Sequence, residues 1–365
     1  MNKWLSFVVA SACLTHVTMA QTLLQSPEVH PDKTITFRLE AAKASSVSVL
    51  GEWNLNKPQP LTKDDKGIWS ITIGPVPANI YIYVFNVDGV TITDPINPLV
   101  KLRARTSASM VQVPGGQPWE FRDVPHGRVE VTWHQSNVLD GAARQVFVYT
   151  PPGYDKDRST RYPVLYLLHG SNDLAAGWTM AGNANFILDN FQADKKAVPM
   201  IVVMPWGHAL PFGARPAEGQ PGNNEKFEQY LVKEVMPMME SKYRVASGRK
   251  NRAVVGLSMG GSQALQIGMR HLDQFSAIGV FGAGMSNSDF ESRYKSFAAE
   301  AKGAKKLDLM WIGVGTQDAV APRAKELSET LRSHGIDAKF HETEGGHTYP
   351  VWRKLLVETA PLLFR

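Results

Sequence analysis

The chain has 365 residues and a single cysteine, Cys13. This cysteine lies in a segment with a short positive start at residues 1–3, a mostly apolar run at 4–17 and a small residue at Ala20, which is the pattern of a secretory signal peptide. A chain cleaved after Ala20 keeps no thiol, which excludes disulfides, zinc thiolate sites and cysteine nucleophiles. We therefore expect a secreted or periplasmic protein, with Ser-Ala-Cys at 11–13 leaving a lipid-anchored form as the alternative.

Other signals are lacking as well. The net charge is +5, but lysine and arginine form no run and no basic helix face, so we expect no nucleic-acid partner. No apolar run is long enough to span a membrane. The zinc motif H-E-x-x-H is absent, and His341, Glu342 and His347 lack the spacing of metal ligands on a helix. We therefore expect a protein that uses neither a metal nor another cofactor.

The length of the chain exceeds that of one ordinary domain and predicts two domains. The hydrophobic fraction of 43% is that of a globular protein with a core. Four alternating apolar segments lie near the N-terminus, at residues 34–39, 46–50, 68–73 and 80–87. Gly, Pro, Asn and Asp separate these segments, which predicts a small all-β sandwich over residues 27–110. Residues 111–126 are rich in Pro and Gly and predict a linker.

Residues 127–365 have a different pattern, in which short apolar runs alternate with helical stretches. The apolar runs lie at residues 146–149, 164–168, 200–204, 253–255, 278–281 and 309–312. The helical stretches lie at residues 226–242, 323–333 and 351–363. Apolar strands separated by helices indicate a mostly parallel sheet that is covered on both faces, so we predict the α/β class for this part.

Residues 256–260, Gly-Leu-Ser-Met-Gly, match the pattern G-x-S-x-G between an apolar strand at 252–255 and a helical stretch at 261–271. In this context the sharp turn lifts the serine hydroxyl clear of the sheet. The helix N-terminus then offers free N–H groups to a developing anion. The motif predicts Ser258 as the nucleophile of an acyl-transfer site, whereas the simpler alternative is an ordinary turn serine.

A serine hydroxyl is a weak nucleophile and needs a general base, which an acid must orient. In sites built on this motif the acid and then the histidine follow the serine along the chain. His334 lies near a helix end and His341 lies within a strand, whereas His347 follows Glu-Gly-Gly in a loop after the last strand. We therefore predict His347 as the base.

Asp318 is the predicted acid, because it follows the apolar run at 309–312 and so stands at the carboxyl end of a strand, where α/β sheets build their sites. Glu342 and Glu344 remain alternatives because they are close to His347 in sequence. The plain alternative for Asp318 is that it caps the following helix.

Two backbone N–H groups are predicted to bind the oxyanion. One is that of Met259, the residue after the nucleophile, and the other is that of Ser171, in the loop after the strand at 164–168. We expect a structural role for His169, which precedes Gly170 at the end of the same strand.

Substrate contacts are expected from the long Gly- and Pro-rich stretch at 205–224, which follows a strand and starts at the active-site edge of the sheet. Within it His208, Phe212 and Arg215 are candidates, and the alternative for each is a solvated loop residue. Trp178 and Trp352 flank the expected site as candidates for stacking on an aromatic acyl group, with a core position as the alternative.

These motifs resemble those of the esterase D and enterochelin esterase-like group of α/β hydrolases. The matching segments are Tyr-Leu-Leu-His-Gly at 166–170, Gly-Leu-Ser-Met-Gly-Gly at 256–261, Gly-Thr-Gln-Asp at 315–318 and Gly-Gly-His at 345–347. Residues 270–279 are especially similar to feruloyl and acetyl xylan esterases of carbohydrate esterase family one. The resemblance covers residues 127–365 and implies an α/β-hydrolase fold with the site residues Ser258, Asp318, His347, Ser171 and Met259.

The N-terminal part resembles the early-set sandwich called carbohydrate-binding module family 48, through Gly-Glu-Trp-Asn at 51–54 and Gly-Ile-Trp at 67–69. This resemblance leaves two roles open, glycan binding or docking onto the second domain as one wall of its cleft, and Trp53 and Trp69 as core residues are the plain alternative. Together the resemblances imply a secreted serine esterase that removes feruloyl or acetyl groups from plant polysaccharide. A siderophore esterase and a non-catalytic glycan-binding protein are the other hypotheses.

Overall fold

The structure is a computed structural model that describes residues 24–303 and 305–365. The predicted signal peptide at 1–20, with Cys13, lies outside these residues. Within the described part of the chain, no helix combines the length and the apolar character needed to cross a membrane. The described strands form three sheets, of which two precede the third in the chain.

The first two sheets are antiparallel and face each other. Their strands are β1 Glu28–Val29, β2 Ile35–Glu40, β3 Val47–Gly51, β4 Gln59–Pro60, β5 Thr62–Lys63, β6 Ile68–Ile73, β7 Asn79–Val87, β8 Val90–Ile92, β9 Val100–Lys101 and β10 Ala108–Val113. One sheet has the order β1-β2-β6-β5, and the other has the order β4-β3-β7-β10-β9 with β8 paired to β7. Alternate side chains of both sheets point inward, so that Phe37 of β2, Val49 of β3 and Phe85 of β7 share one apolar core.

Both tryptophans of the resemblance to a carbohydrate-binding module pack into this sandwich. Trp53 stacks on Phe37 with 5.2 Å between ring centroids, and its indole N–H donates to the side-chain oxygen of Gln59 at 2.7 Å. Trp69 is buried and donates to the carbonyl oxygen of Ala41 at 2.9 Å. These contacts give both residues a structural role, and neither forms an exposed platform for a sugar.

The third sheet has eight strands in the order β11-β12-β14-β13-β15-β16-β17-β18. Their bounds are β11 Arg128–Ser136, β12 Ala142–Thr150, β13 Val164–Leu168, β14 Ile201–Pro205, β15 Arg252–Leu257, β16 Ala277–Phe281, β17 Leu309–Gly315 and β18 Ala338–Thr343. The pairs β11–β12 and β12–β14 are antiparallel, and the remaining pairs are parallel. The mostly parallel sheet predicted for this region is therefore confirmed, and the carboxyl ends of its parallel strands share one edge.

Helices cover both faces of this sheet. They are α1 Gly177–Met180, α2 Ala184–Ala193, α3 Asn223–Tyr230, α4 Met236–Lys242, α5 Met259–Arg270, α6 Asn287–Lys302, α7 Ala321–Ser333 and α8 Tyr349–Thr359. The single helix predicted at 226–242 is divided by a π-helical turn, Leu231–Val235. Pro237 cannot donate a helical hydrogen bond, which fits the wider turn immediately before it.

The sandwich packs directly on one face of the large sheet. Helices α3 to α7 contribute to the apolar layer on one face, and α1, α2 and α8 contribute to the layer on the other. The second layer also contains Ile80 and Ile82 of β7 and Met110 of β10. Because these side chains share a layer with Trp178 and Leu356, the sandwich and the large sheet form a continuous apolar interior.

Residues 111–126, which were predicted as a linker, are packed against the rest of the protein. Its first three residues belong to β10, which ends at Val113. Trp119 is buried in the layer shared with the large sheet, and the Glu120 carboxylate accepts the backbone N–H of Gly115 at 2.9 Å. The segment therefore packs against both parts of the chain, because the Trp119 side chain is buried in the apolar layer between them.

Candidate active site

Ser258 stands at the sharp turn between β15 and α5, with φ of +53° and ψ of −116°. This conformation is strained for a residue with a side chain and is the geometry of a nucleophile elbow. Close packing explains the flanking glycines. A Cβ atom at Gly256 would lie 2.2 Å from the carbonyl oxygen of Gly260, and a Cβ atom at Gly260 would lie 2.6 Å from the carbonyl oxygens of Leu168 and His169. A larger residue at position 260 would push the turn away from the end of β13, and one at position 256 would push the start of α5 away from β15.

The structure brings Ser258, His347 and Asp318 together. His347 Nε2 lies 2.9 Å from Ser258 Oγ, and His347 Nδ1 lies 2.7 Å from Asp318 Oδ2. Because a carboxylate can only accept, Nδ1 donates to Asp318 and Nε2 is left to accept from the serine hydroxyl. The other carboxylate oxygen of Asp318 accepts the N–H of Val320 at 3.0 Å, which fixes the buried acid. This arrangement can activate a serine for attack on an acyl carbon.

The topology explains how distant residues reach Ser258. Asp318 follows β17 and His347 follows β18, and these strands are parallel neighbours that end at the same edge of the sheet. Among the described residues, Asp318 is the carboxylate that His347 contacts, rather than the alternatives Glu342 and Glu344.

The other two histidines considered as the base form pairs away from Ser258. His341 Nε2 lies 2.9 Å from a carboxylate oxygen of Glu358, and His334 Nε2 lies 2.6 Å from one of Glu291. Each ring is thus engaged with a glutamate, which leaves His347 as the histidine at the nucleophile.

Both predicted oxyanion donors lie near Ser258. Met259 is the first residue of α5, so its N–H has no acceptor within the helix. Ser171 follows β13 and lines the same pocket as Ser258. The carbonyl oxygen of Ser171 lies 2.7 Å from His208 Nε2, a contact that holds this loop in place. Their function as donors to an oxyanion stays a prediction.

Ser258 and His347 line a pocket of about 210 Å³. The second part of the chain lines it with Ser171, Ser258, His347, Tyr349 and Trp352, among others. The N-terminal sandwich lines it with Glu52, Asn56, Ile82, Lys101 and Arg103, none of which was predicted from the sequence as a site residue. The spacing of Lys101 and Arg103 is a signal that was available, because basic residues two apart on an extended segment point to one side.

Glu52 connects the sandwich to the segment that carries His347. One of its carboxylate oxygens accepts the N–H of Ile82 at 2.9 Å, and the other accepts the N–H of Tyr349 at 3.2 Å. Tyr349 begins α8, and the side chain of the preceding Thr348 makes no capping hydrogen bond. Glu52 therefore supplies the acceptor that this helix start needs. Burial raises the pKa of Glu52 above its ordinary value, while its hydrogen bonds and Arg353 favour the charged form.

Arg353 makes a second connection from α8 to the sandwich. It is fully buried, and its guanidinium donates to Asn79 Oδ1 and to the carbonyl oxygens of Ile80 and Ala181. Burial lowers the pKa of Arg353 to about 10, so the side chain stays charged at neutral pH. With Glu52 it fastens α8, the helix that directly follows the His347 loop, to the sandwich.

His169 is engaged at both ring nitrogens and is therefore not available as a base. Its Nδ1 lies 2.8 Å from the carbonyl oxygen of Gly170, and its Nε2 accepts the N–H of Gly207 at 2.8 Å. The ring thus ties the loop after β13 to the loop after β14. Burial lowers the pKa of His169 to about 4 from its ordinary 6.5.

This pKa shift predicts a loss of stability in mild acid. The unfolded chain takes up a proton at His169 near pH 6.5, whereas the folded chain does so near pH 4. Stability from this group is complete above pH 6.5 and falls as the pH drops from 6.5 to 4, by ~3 kcal/mol in total. Denaturant unfolding across this range should show a steeper fall for wild type than for His169→Gln, which keeps an acceptor but does not titrate. Parallel curves for the two proteins would contradict this prediction.

The predicted tryptophan contacts have different outcomes. Trp352 lines the pocket and meets the His347 ring edge-on, with 5.0 Å between centroids. Trp178 does not reach the pocket: it is 0% exposed, and its indole N–H donates to the carbonyl oxygen of Leu168 at 3.0 Å. The predicted stacking of Trp178 on an acyl group is therefore wrong. The Trp178 side chain packs instead into the apolar layer that the sandwich and the large sheet share.

The predicted contacts in the 205–224 segment lie outside the catalytic pocket. His208 and Phe212 line a neighbouring cavity, where their rings meet with 5.5 Å between centroids. Arg215 lies in an exposed stretch, residues 211–220, and lines neither cavity. A role for Arg215 against bound substrate would therefore require this stretch to move, and nothing in the structure places it there.

Acidic, histidine and cysteine side chains are the usual protein ligands of metal ions. Within residues 24–303 and 305–365, no cluster of three or more such side chains has the required geometry.

Comparison with known proteins relates the chain to esterases. A family model described as "Putative esterase" matches residues 136–363. An endo-1,4-beta-xylanase/feruloyl esterase of Xylanibacter ruminicola is 30% identical over 95% of this chain and 47% of its own length. An acetyl esterase of Caldicellulosiruptor saccharolyticus is 22% identical over 36% of this chain and 61% of its own length. The chain spans about half the length of the first curated relatives it matches.

Solved structures show the same fold. A ferulic acid esterase superposes with a TM-score of 0.57 at 27% identity, over 65% of this chain and 97% of its own. An enterobactin esterase from Shigella flexneri superposes with a TM-score of 0.67 at 16% identity, over 90% of this chain and 92% of its own. A match over so much of the chain must include most of the N-terminal sandwich. The predicted α/β-hydrolase fold and the resemblance to esterases are confirmed, and the chain belongs to the esterase family.

Proposed function

We propose that the protein is a serine carboxylic ester hydrolase that acts through Ser258, His347 and Asp318. The observation that carries this proposal is the continuous chain of contacts from Ser258 Oγ to His347 Nε2, at 2.9 Å, and from His347 Nδ1 to Asp318 Oδ2, at 2.7 Å. Membership of the esterase family supports it.

The geometry supports a two-step reaction. Ser258 Oγ attacks the ester carbonyl carbon while its proton passes to His347 Nε2, and Asp318 stabilises the resulting imidazolium. The N–H groups of Met259 and Ser171 bind the oxyanion, an interaction for which one donor typically lowers the barrier by ~3 kcal/mol. Collapse breaks the bond to the alcohol oxygen, which takes the proton from His347. Water then attacks the acyl-enzyme by the same route, which releases the acid and restores the Ser258 hydroxyl.

The proposed substrates are ester side groups, feruloyl or acetyl, on a plant cell-wall polysaccharide such as arabinoxylan. Relatives named feruloyl esterase and acetyl esterase support this class. We further propose that the protein is exported, as residues 1–20 predict, and that the sandwich forms one wall of the catalytic cleft, since Glu52, Lys101 and Arg103 line it. The alternative is an enterochelin-type siderophore ester, which the similarity to an enterobactin esterase over both parts of the chain favours.

Purified wild type and Ser258→Ala should be incubated with feruloylated arabinoxylan, acetylated xylan and enterochelin, and the released acids quantified. We expect release of ferulate or acetate that depends on Ser258. Hydrolysis of enterochelin alone would favour the alternative, and release unchanged by Ser258→Ala would contradict the proposed site. A chelator such as EDTA should leave the rates unchanged, because the proposed mechanism uses side chains and backbone N–H groups.

A further inference from the structure

A second cavity, of about 460 Å³, lies next to the catalytic pocket. We call it the Arg144 pocket, and the lining side chains used below are Asp140, Arg144, Trp206, His208, Phe212 and Lys226. Consecutive residues separate the two cavities: Arg103 and Asp173 line the catalytic pocket, whereas Ala104 and Leu174 line the Arg144 pocket. The hydrogen bond between His208 and the carbonyl oxygen of Ser171 also spans this boundary. The two cavities are therefore direct neighbours.

Arg144 is the unusual group in this cavity. It is only 9% exposed, and its Nε atom finds no hydrogen-bond partner among residues 24–303 and 305–365. Its guanidinium lies over the Trp206 ring, 5.0 Å from the centroid. A buried charge is costly unless a counter-charge or hydrogen bonds compensate it, and a cation–π contact supplies only part of that. Because Arg144 lines the cavity, an anion that enters there could supply the missing counter-charge.

The other charges around the cavity do not neutralise Arg144. Lys226 lies 3.4 Å from Asp140, so these two charges largely offset each other. Arg105 adds a further positive charge at the rim, with its guanidinium 4.7 Å from the Phe212 ring centroid. Burial lowers the pKa of His208, which keeps this side chain neutral at neutral pH. The balance of charge is therefore positive, on a wall that is otherwise aromatic and apolar.

We propose that the Arg144 pocket binds an acidic sugar unit, a uronate of the glycan that carries the ester cleaved at Ser258. Its carboxylate pairs with Arg144, and the apolar face of its ring lies against Trp206 and Phe212. A planar guanidinium fork matches a carboxylate, and aromatic faces match the C–H face of a sugar ring. This inference rests on the proposed esterase function, because it assigns the cavity to the glycan side of the substrate.

The test is direct binding to the full-length Ser258→Ala protein, which cannot turn over an ester. Methyl glucuronide and methyl glucoside differ chiefly in the carboxylate, so their affinities, measured by calorimetry or saturation-transfer NMR, isolate its contribution. We expect the glucuronide to bind about tenfold more tightly or better, as for a hydrogen bond to a charged group. Adding Arg144→Met should remove the difference, whereas Arg144→Lys should keep part of it.

Two matched variants separate charge from folding. Arg128→Met removes an exposed arginine from the neighbouring strand β11 and should leave the preference intact. Phe212→Ala, in the exposed stretch, should weaken both sugars alike because it removes apolar contact and not charge. Equal affinity for the two sugars, or a preference that persists in a folded Arg144→Met protein, would overturn the proposal. This test needs no catalysis, so failure of the uronate proposal can be told apart from failure of the esterase proposal. Uronate binding can be absent while Ser258-dependent hydrolysis is present, and hydrolysis can be absent while uronate binding is present.

Discussion

Ser258→Ala and His347→Ala are each expected to lower kcat for 4-nitrophenyl acetate by ~10⁶-fold, and the double variant should lose little more. The two residues act as one unit, because His347 Nε2 has no proton to accept once the Ser258 hydroxyl is gone. Asp318→Asn should cost ~10⁴-fold, because an amide at this position favours the wrong histidine tautomer. Initial rates of nitrophenolate release, with an acyl-enzyme burst in wild type, measure all three losses.

Ser262→Ala is the matched control for these variants. Ser262 lies one turn further along α5, and its backbone N–H donates to the Ser258 carbonyl oxygen at 3.1 Å. The substitution keeps that backbone contact and should leave kcat near wild type. Losses at Ser258 and His347 that multiplied in the double variant would show that the two side chains act independently, which the hydrogen-bonded triad does not permit.

The residues of the proposed triad could be named from the sequence because each stands at a strong local signal. Ser258 lies in a motif whose glycines are required by the turn, Asp318 follows an apolar run, and His347 follows two glycines in a loop after the last strand. Parallel strands end at one edge of a sheet, so three residues at three strand ends can be expected to meet. The same logic predicted the large sheet, since buried parallel strands are apolar on both sides and are easy to recognise.

The contribution of the sandwich to the pocket could not be predicted in this way. Glu52 and Tyr349 are 297 residues apart, and their contact depends on how the sandwich and the large sheet pack together. No local pattern encodes such packing. Trp178 shows the same limitation, because its position next to the predicted site in sequence gave no information about the side of α1 on which it lies. The Gly- and Pro-rich segment at 111–126 suggested a linker, but Trp119 turns it into part of the packed interior.

Glu52→Ala is expected to lower kcat by ~100-fold, although Glu52 lies in the sandwich and far from His347 in sequence. The substitution removes the acceptor for the Tyr349 N–H at the start of α8, two residues after His347. A histidine displaced by ~1 Å from a productive position can cost that much in rate. Glu52→Gln keeps one side-chain oxygen as acceptor and should recover part of the loss. Steady-state kinetics with 4-nitrophenyl acetate should show the change in kcat more than in KM, because this small ester needs few contacts.

Glu326→Ala is the control variant for Glu52→Ala. The Glu326 carboxylate accepts the N–H of Asn287 at 2.9 Å, so it binds the start of α6, which Ser286 also caps, and no catalytic residue adjoins α6. Both alanine variants should lose stability, whereas only Glu52→Ala should lose kcat when rates are measured well below the unfolding temperature. If Glu52→Ala lowered the unfolding temperature and left kcat within about threefold of wild type, Glu52 would hold the two parts together without positioning His347. A selective loss of kcat would instead show that the esterase site is completed by the sandwich.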